Sequence, residues 1–238
     1  MWRADIITYL PETYPGLLDH SLLGKARANG LWSLSIHDLA EFGYGKHRQV
    51  DDRPIGGGAG MVLRADVAAK AIDKAQTDDI GKRPIVYLSP AGQRFDQNLA
   101  KSWSEENGII FLCGRFEGID GRVLQARAIT EVSLGDFILC GGDVAAQAMI
   151  ETTVRLLPGV VGDTQSLVRE SFEEGLLEHP HFTRPRIWEE LNVPDVLLSG
   201  NHADIEAWRL SEAKKRTKYR RSDLWEEYCR KHPRDRER

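Results

Sequence analysis

Three glycine-bearing segments, each directly after a short apolar run, constrain this chain more than any other feature of its sequence. They are residues 87–92 (YLSPAG), 113–121 (CGRFEGIDG) and 133–143 (SLGDFILCGGD). The preceding runs have the length and β-branched content of buried strands, so the segments are predicted to emerge at the carboxyl edge of a sheet, where ligand crevices lie. Because glycine permits positive φ and close approach of the main chain, they predict a cradle for a small molecule.

The glycine-rich stretch GGGAG at residues 56–60 is not one of the familiar phosphate-binding motifs. It is followed by Met61, which breaks the GxGxxG spacing, and no GxxxxGK[ST] sequence occurs in the chain. Such motifs bind phosphates because their glycines leave room for main-chain N–H groups to cradle the anion. A dinucleotide or nucleoside triphosphate site is therefore not predicted.

Composition indicates a globular protein. The chain has 238 residues, of which 41% are hydrophobic and 29% are charged. No apolar stretch is long enough to cross a bilayer, and Asp5 interrupts the N-terminal run that a signal sequence would need. Cys113, Cys140 and Cys229 are odd in number and form no CxxC pair, which argues against a disulfide framework and a zinc site. We expect a cytoplasmic protein with no membrane partner.

Charge is distributed unevenly along the chain. The net charge is −4, but residues 209–238 contain twelve Lys/Arg against six Asp/Glu, so residues 1–208 carry −10. The densest basic part is KKRTKYRR at 214–221, with an interleaved tyrosine. It is interpretable either as a solvated helix face or as a surface that binds phosphates.

Hydrophobic periodicity predicts an α/β domain with a largely parallel sheet, followed by a linker and a shorter, mainly helical part. The α/β domain is expected to end near Pro158. Strand-like segments lie at residues 6–10, 31–36, 85–88, 109–113, 129–133 and 137–140, and helical patterns at 65–76, 97–106, 122–127 and 145–156.

Two histidines form the pattern HPH, at His179 and His181. Paired histidines are common metal ligands, but this pair has no third ligand at a recognisable spacing and no nearby cysteine. Loop packing or phosphate contact is therefore predicted, and no metal site.

The ordered series of motifs resembles the bacterial tRNA (guanine-N1)-methyltransferase family, TrmD. The resemblance extends in one order over nearly the whole chain, up to about Lys218. It is carried by the three glycine segments together with DDRPIGGGAGM (51–61), RLLPGV (155–160), SFEEGLL (171–177), HFTRP (181–185) and VLLSGNH (196–202).

The resemblance implies an α/β fold of the SPOUT class and a division of the chain into three parts. Residues 1–160 would form a trefoil-knotted parallel sheet domain that binds S-adenosylmethionine, residues 161–175 an interdomain linker, and residues 176–238 a small, mainly α-helical tRNA-binding domain. It also implies a homodimer with composite active sites, in which tRNA lies over both subunits and the catalytic acid comes from the partner chain. The implied reaction methylates guanine N1 at position 37, immediately 3′ of the anticodon.

Two residues are expected to carry the chemistry. Guanine N1 bears a proton, and negative charge builds on O6 as that proton leaves, so the reaction needs a general base and a cation. The resemblance assigns the cation to Arg155 and the base to Glu170, where the family has an aspartate. From the residues alone, Arg155 is also interpretable as an i,i+4 partner of Glu151, and Glu170 as a solvated surface residue.

Contacts with S-adenosylmethionine are implied along all three glycine segments. Glu117 suits the methionyl ammonium, because a carboxylate forms a charge-assisted hydrogen bond with it. Phe116 replaces a usual tyrosine, and Ala145 stands where the family often has a proline. The expected contacts are Tyr87, Leu88, Ser89, Pro90, Gly114, Phe116, Glu117, Ser133, Leu134, Gly135, Phe137, Leu139, Gly141, Gly142 and Ala145.

Contacts with tRNA are expected in the GGGAG region, around HFTRP and at the basic end. Glu178 stands where the family often has an aspartate. Magnesium dependence belongs to the family, but the sequence displays no identifiable magnesium site. The expected substrate-binding residues are Arg53, Gly58, Glu178, His181, Arg184, Lys214, Lys215, Arg216 and Arg220.

Two other functions stay open at this point. The first is another SPOUT RNA methyltransferase, which would act on a ribose 2′-hydroxyl or on ribosomal RNA. The second is a non-catalytic RNA-binding protein that uses the basic end alone. The glycine segments argue against the second, since RNA tethering does not require a small-molecule cradle.

Overall fold

A computed structural model describes residues 1–77, 83–162 and 170–235 of the chain. The chain divides into two compact units, Met1–Gly162 and Asp163–Arg238. The first unit has the α/β architecture that the sequence predicts.

The first unit is built on a five-stranded sheet in the order β2-β1-β6-β5-β7, and all of its strand pairs are parallel. A two-residue antiparallel pair, β3 with β4, lies outside this sheet. In chain order the strands are β1 (Trp2–Thr8), β2 (Trp32–Asp38), β3 (Asp51–Asp52), β4 (Val62–Leu63), β5 (Ile85–Arg94), β6 (Gly108–Leu112) and β7 (Thr130–Ser133). The α-helices are α1 (Ser21–Ala28), α2 (Ala65–Thr77), α3 (Gln97–Glu105), α4 (Gly121–Ala126) and α5 (Asp143–Val154).

Helices cover both faces of the sheet, which explains why its central strands are apolar on both sides. Strand β6 is buried throughout, with Ile109 and Phe111 in one core and Ile110 and Leu112 in the other. The first core includes side chains of α1, α3 and α5, and the second includes side chains of α2 and α4. The carboxyl ends of the strands are thereby held at one edge of a rigid three-layer unit.

One local expectation was wrong, and two others were incomplete. The predicted strand at 137–140 is irregular, and Ile138 is 80% exposed, because this apolar run does not pack into either core. The predicted strand at 85–88 continues to Arg94, with a register shift between Leu88 and Gln93, so the first glycine segment is an irregularity within β5. Helix α1, which has only two buried residues, was not predicted.

The second unit is mainly helical in its described residues. A short antiparallel pair, β8 (Ile187–Trp188) with β9 (Leu191–Asn192), precedes the long helix α6 (His202–Arg220) and the final helix α7 (Ser222–Lys231). Its small core contains Leu176, Ala213 and Tyr228. In the described parts of both units, no helix is long and apolar enough to span a membrane.

A buried carboxylate, Asp5, organises one end of the sheet. Its side chain is fully buried in β1. Its Oδ2 accepts a hydrogen bond from Arg83 Nη1 at 2.5 Å, and its Oδ1 lies 2.7 Å from His37 Nε2. Arg3 Nε also lies 2.7 Å from Oδ2, the carboxylate oxygen that accepts from Arg83. Burial raises the pKa of Asp5, but hydrogen bonds from His37 and Arg83 outweigh it, and the pKa lies below its usual value. Asp5 is therefore an ion in the native state.

We predict that Asp5→Ala lowers the free energy of unfolding by about 3–5 kcal/mol, because it removes the fully buried carboxylate that accepts from the Arg83 guanidinium. Asp73→Ala, which removes the exposed carboxylate partner of Arg127, is the matched control and should cost about 1 kcal/mol or less. Urea unfolding measures both. Equal losses in the two variants would contradict a structural role for the buried ion.

Candidate active site

The three glycine segments meet at the carboxyl edge of the sheet and enclose a cavity of about 310 Å³. Every residue expected to contact a cofactor lines this cavity. The cavity also contains residues that were not singled out from the sequence, although they belong to the same segments or to β7. These are Arg115, Gly118, Val132, Ile138 and Cys140.

The second and third segments are joined by main-chain contacts that leave no room for side chains. Gly142 N–H donates to the Gly114 carbonyl at 2.9 Å, and Arg115 pairs with Gly141 as an isolated bridge. A Cβ on Gly142 would lie 3.0 Å from Cys113 Cα and 3.1 Å from Leu88 Cβ. Glycine is required here because the chains approach closely.

Most of the glycines in the cavity do not use the positive φ that glycine permits. The cavity glycines with φ outside the left-handed region are Gly114, Gly135, Gly141 and Gly142. Positive φ occurs instead in the second segment at Gly118, with φ +116°, and at the non-glycine residue Phe116, with φ +62°. Positive φ therefore determines the course of the second segment. The lack of a side chain at Gly114 and Gly142 allows the second and third segments to approach each other closely.

Tyr87 forms one wall of the cavity. A Cβ on Gly114 would lie 2.7 Å from Tyr87 Cε2 and 2.8 Å from its hydroxyl oxygen, so the ring rests directly on the glycine main chain. Burial, together with the charge of Glu131, raises the pKa of Tyr87 to about 12. The phenol is therefore neutral near pH 7 and acts as a wall and a hydrogen-bonding group.

The third segment folds back on itself before it reaches α5. Ser133 Oγ donates to the Gly135 carbonyl at 3.1 Å and accepts from Gly135 N–H at 3.2 Å, and Phe137 N–H donates to the same carbonyl at 2.9 Å. These bonds turn the apolar run at 137–139 toward the cavity rim, where Phe137 is 53% exposed. The rim is thus an exposed apolar surface.

Residues 60–63, at the end of the GGGAG stretch and directly after it, pack against the second segment. Glu117 N–H donates to the Met61 carbonyl at 2.9 Å, and Leu63 N–H donates to the Gly118 carbonyl at 2.9 Å. Gly60 has φ +83°, and a Cβ there would lie 2.3 Å from Glu117 Cγ. This packing fixes the position of Glu117 at the cavity.

A buried polar cluster lies beneath the cavity. Asp143, at the start of α5, accepts from Thr8 Oγ1 at 2.5 Å and from the Tyr14 hydroxyl at 3.3 Å. The Tyr14 hydroxyl also lies 3.6 Å from Cys113 Sγ. Burial and the nearby charge of Asp143 raise the pKa of both Cys113 and Tyr14 well above their usual values. Cys113 is therefore a neutral thiol that ties the loop to β1, and it is not a nucleophile.

Arg155 lies far from the cavity of its own chain. Gly142 precedes α5 and lines the cavity, whereas Arg155 is the residue that ends this 12-residue helix. With a rise of about 1.5 Å per residue, the two ends of α5 are roughly 18 Å apart. An arginine side chain does not span that distance, so Arg155 and the cavity do not form one site within a chain.

The residues expected to bind substrate fall into separate places. In the first unit, Arg53 lines a separate groove of about 870 Å³, and Gly58 is exposed with φ +125°; neither lines the cavity. In the second unit, Glu170 and Glu178 line one recess of about 460 Å³. His181 Nε2 lies 3.0 Å from Glu178 Oε1.

The basic residues of α6 differ in their exposure. Lys214 Nζ bonds Asp235 Oδ1 at 2.7 Å and lies over the Tyr228 ring, so it stabilises the packing of the second unit. Arg216 Nη1 donates to the Glu178 carbonyl at 3.4 Å. Lys215 is exposed although it pairs with Glu212. Two further expected residues are exposed, Arg184 and Arg220.

Comparison with known proteins matches the chain to the family described as "tRNA (Guanine-1)-methyltransferase TrmD" over residues 2–227. A protein of Cereibacter sphaeroides named tRNA (guanine-N(1)-)-methyltransferase is 55% identical, and the match covers 98% of this chain and 95% of that protein. Proteins of the same name from Roseobacter denitrificans and Brucella melitensis are 53% and 50% identical over 94% and 96% of this chain, and the matches cover 93% of each protein. The extent and identity of these matches show that the chain belongs to the tRNA (guanine-N1)-methyltransferase family, TrmD.

Proposed function

We propose that this protein transfers a methyl group from S-adenosylmethionine to N1 of guanosine 37 in tRNA. The observation that carries the proposal is the convergence of all the expected cofactor residues on one cavity. Family membership supplies the substrate class, and the cavity supports a small-molecule methyl donor.

The cavity is suited to S-adenosylmethionine in size and chemistry. Its volume of about 310 Å³ lies within the range of small-ligand sites. It combines apolar walls from Leu88, Leu139 and Ala145 with main-chain groups of the glycine segments, which suit an adenine ring and its polar edge. Glu117 is exposed at the cavity and is suited to an ammonium group. When bound, S-adenosylmethionine supplies an electrophilic methyl group.

Two side chains of the protein are proposed to activate the guanine. Glu170 would accept the N1 proton, and the Arg155 guanidinium would stabilise the negative charge that develops on O6. Arg155 is always protonated near neutral pH, so its charge requires no proton transfer during the reaction. Glu170 retains the carboxylate of the family's aspartate, and its additional methylene has to be accommodated by the position of the linker.

We further propose that the active site is shared between two subunits of a homodimer. The separation of Arg155 from its own cavity by the length of α5 supports this, because a second copy is needed to bring the two together. The exposed apolar residues at the cavity rim, Phe137 and Ile138, also support contact with another chain.

The second unit is proposed to bind tRNA. The end of α6 exposes Lys218, Tyr219 and Arg220, and Tyr219 is 89% exposed. Cations beside an exposed aromatic ring suit phosphates and unstacked bases. Together with the first unit this gives the proposed organisation: a trefoil-knotted cofactor domain at 1–160, a linker at 161–175 and a tRNA-binding domain at 176–238. Residues 163–169 of that linker lie outside the described residues.

The cofactor site is tested by a glycine substitution. Gly114→Ala places a methyl carbon 2.7 Å from Tyr87 Cε2, so the ring must move and the cavity must change shape. Overpacking of this kind costs about 1–3 kcal/mol, which corresponds to a loss of about 5- to 150-fold in cofactor affinity if it falls on the bound state. Calorimetric titration measures the affinity, and a thermal melt checks folding.

Gly121→Ala is the matched control for this substitution, because a Cβ at Gly121 has open space around it. It should bind S-adenosylmethionine as the unaltered protein does. If Gly114→Ala and Gly121→Ala bind equally well, the cofactor does not occupy this cavity.

The reaction is tested by mapping the methylated base. With radiolabelled S-adenosylmethionine, an unmodified tRNA transcript with guanosine at position 37 should become labelled, and primer extension should stop at that base because N1 methylation blocks base pairing. A transcript with adenosine at position 37 should stay unlabelled. Label on a ribose hydroxyl, or acceptance of ribosomal RNA in place of tRNA, would instead support a different RNA methyltransferase.

A further inference from the structure

We propose that Glu178, His179 and His181 form a binding site for a divalent transition-metal ion of the Zn²⁺ type. Each of the three side chains offers one donor atom, and these atoms all lie within 4.8 Å of one another. Within residues 1–77, 83–162 and 170–235, it is the one group of three or more His, Cys, Asp or Glu side chains with this geometry. The proposal does not depend on the methyltransferase reaction.

The spacing of the donors is close to what a zinc ion requires. Zinc–ligand distances of about 2.0–2.2 Å in a tetrahedral site separate neighbouring donors by about 3.3 Å. His181 Nε2 and Glu178 Oε1 are already 3.0 Å apart. The third donor, from His179, needs only a side-chain rotation to approach them, because all three residues belong to one four-residue segment.

His179 is prepared for coordination by its surroundings. Its Nδ1 lies 3.1 Å from the Pro180 carbonyl oxygen, so the tautomer that satisfies this acceptor carries its proton on Nδ1. This leaves the Nε2 lone pair available, which is the arrangement usual for metal-binding histidines. The ring is also held between those of His181 and Trp208, with centroids 4.7 Å and 6.2 Å away.

The site is accessible to an ion and to the water that would complete its coordination. His181 has 66% of its side chain exposed, and both histidines line a recess of about 220 Å³. Arg209 lines the same recess, and its positive charge would repel a metal ion. Its guanidinium lies 2.8 Å from Glu206 Oε1, however, and the carboxylate offsets that positive charge. Arg216 donates to the main-chain carbonyl of Glu178, so that contact does not consume the carboxylate.

The donor set identifies the class of metal. Two imidazoles and one carboxylate suit Zn²⁺, Co²⁺ or Ni²⁺, whereas Mg²⁺ prefers oxygen ligands. The sequence shows no third ligand at a spacing typical of metal sites, so the HPH pattern by itself did not predict one. The third ligand is the residue directly before it.

Titration of metal-free, full-length protein without a histidine tag tests the site. Zn²⁺, measured by competition with a chromophoric chelator, should bind with one tight site per chain attributable to this group. Glu178→Gln, His181→Asn and His179→Phe, which keeps a ring beside Trp208, should each weaken binding about tenfold or more. Co²⁺ should give a visible absorption band that the same variants lose.

Two control variants separate this site from other ligands in the chain. His202→Asn removes an exposed histidine of the same unit, and Cys140→Ser removes the exposed thiol; both should bind Zn²⁺ as the unaltered protein does. The proposal is overturned if no tight binding occurs, if the three ligand variants bind normally, or if Cys140→Ser abolishes binding. Displacement of Zn²⁺ by an equal concentration of Mg²⁺ would overturn the assignment of the metal.

Discussion

The close approach of two main-chain segments, at Gly114 and Gly142, is the constraint on which the cavity depends. The hydrogen bond between them, at 2.9 Å, leaves no space for a side chain at Gly142, whose Cβ would meet the backbone of Cys113. The same contact seats the Tyr87 ring against Gly114. Because the segments follow the parallel strands β6 and β7, which flank β5, the sheet holds this junction in place, and the cavity follows from that packing.

Helix α5 links this junction to the proposed chemistry. It begins beside the cavity, where Asp143 is bonded to Thr8 and Tyr14, and it ends at Arg155. A helix of this length is a rigid spacer of roughly 18 Å. The α5 residues buried in the core, from Ala145 to Val154, fix its direction. A single chain therefore presents the cavity at one end of α5 and Arg155, the proposed catalytic cation, at the other, which is why a shared site is proposed.

The sequence predicted the five strands of the sheet and the meeting of the three glycine segments at its carboxyl edge, because both depend on local patterns. Strands buried on two faces, such as β6, have unmistakable apolar runs. The run at 137–140 has the same appearance but lines the cavity, and no local signal separates an apolar core from an apolar rim. The register shift in β5 depends on pairing with β7, which lies about forty residues away in sequence.

The relation between Arg155 and the cavity could not be predicted from the motif order, because it depends on the direction and length of a folded helix. Glycine permits both close approach and positive φ, and its residue type alone does not say which of the two Gly114 and Gly142 use; the fold shows close approach. The contact between the Glu178 carboxylate and His181 also depends on the folded segment, and the substrate-binding role of Glu178 stays a prediction.

The most direct test of the shared site is complementation between two impaired variants. Gly114→Ala impairs the cavity and keeps Arg155, whereas Arg155→Ala keeps the cavity and removes the cation. Heterodimers of the two, isolated with different affinity tags, should form N1-methylguanosine at position 37 with about half the activity of the unaltered dimer, because one of its two equivalent sites is complete. Heterodimers that are no more active than either parent would show that Arg155 does not serve the cavity of its partner.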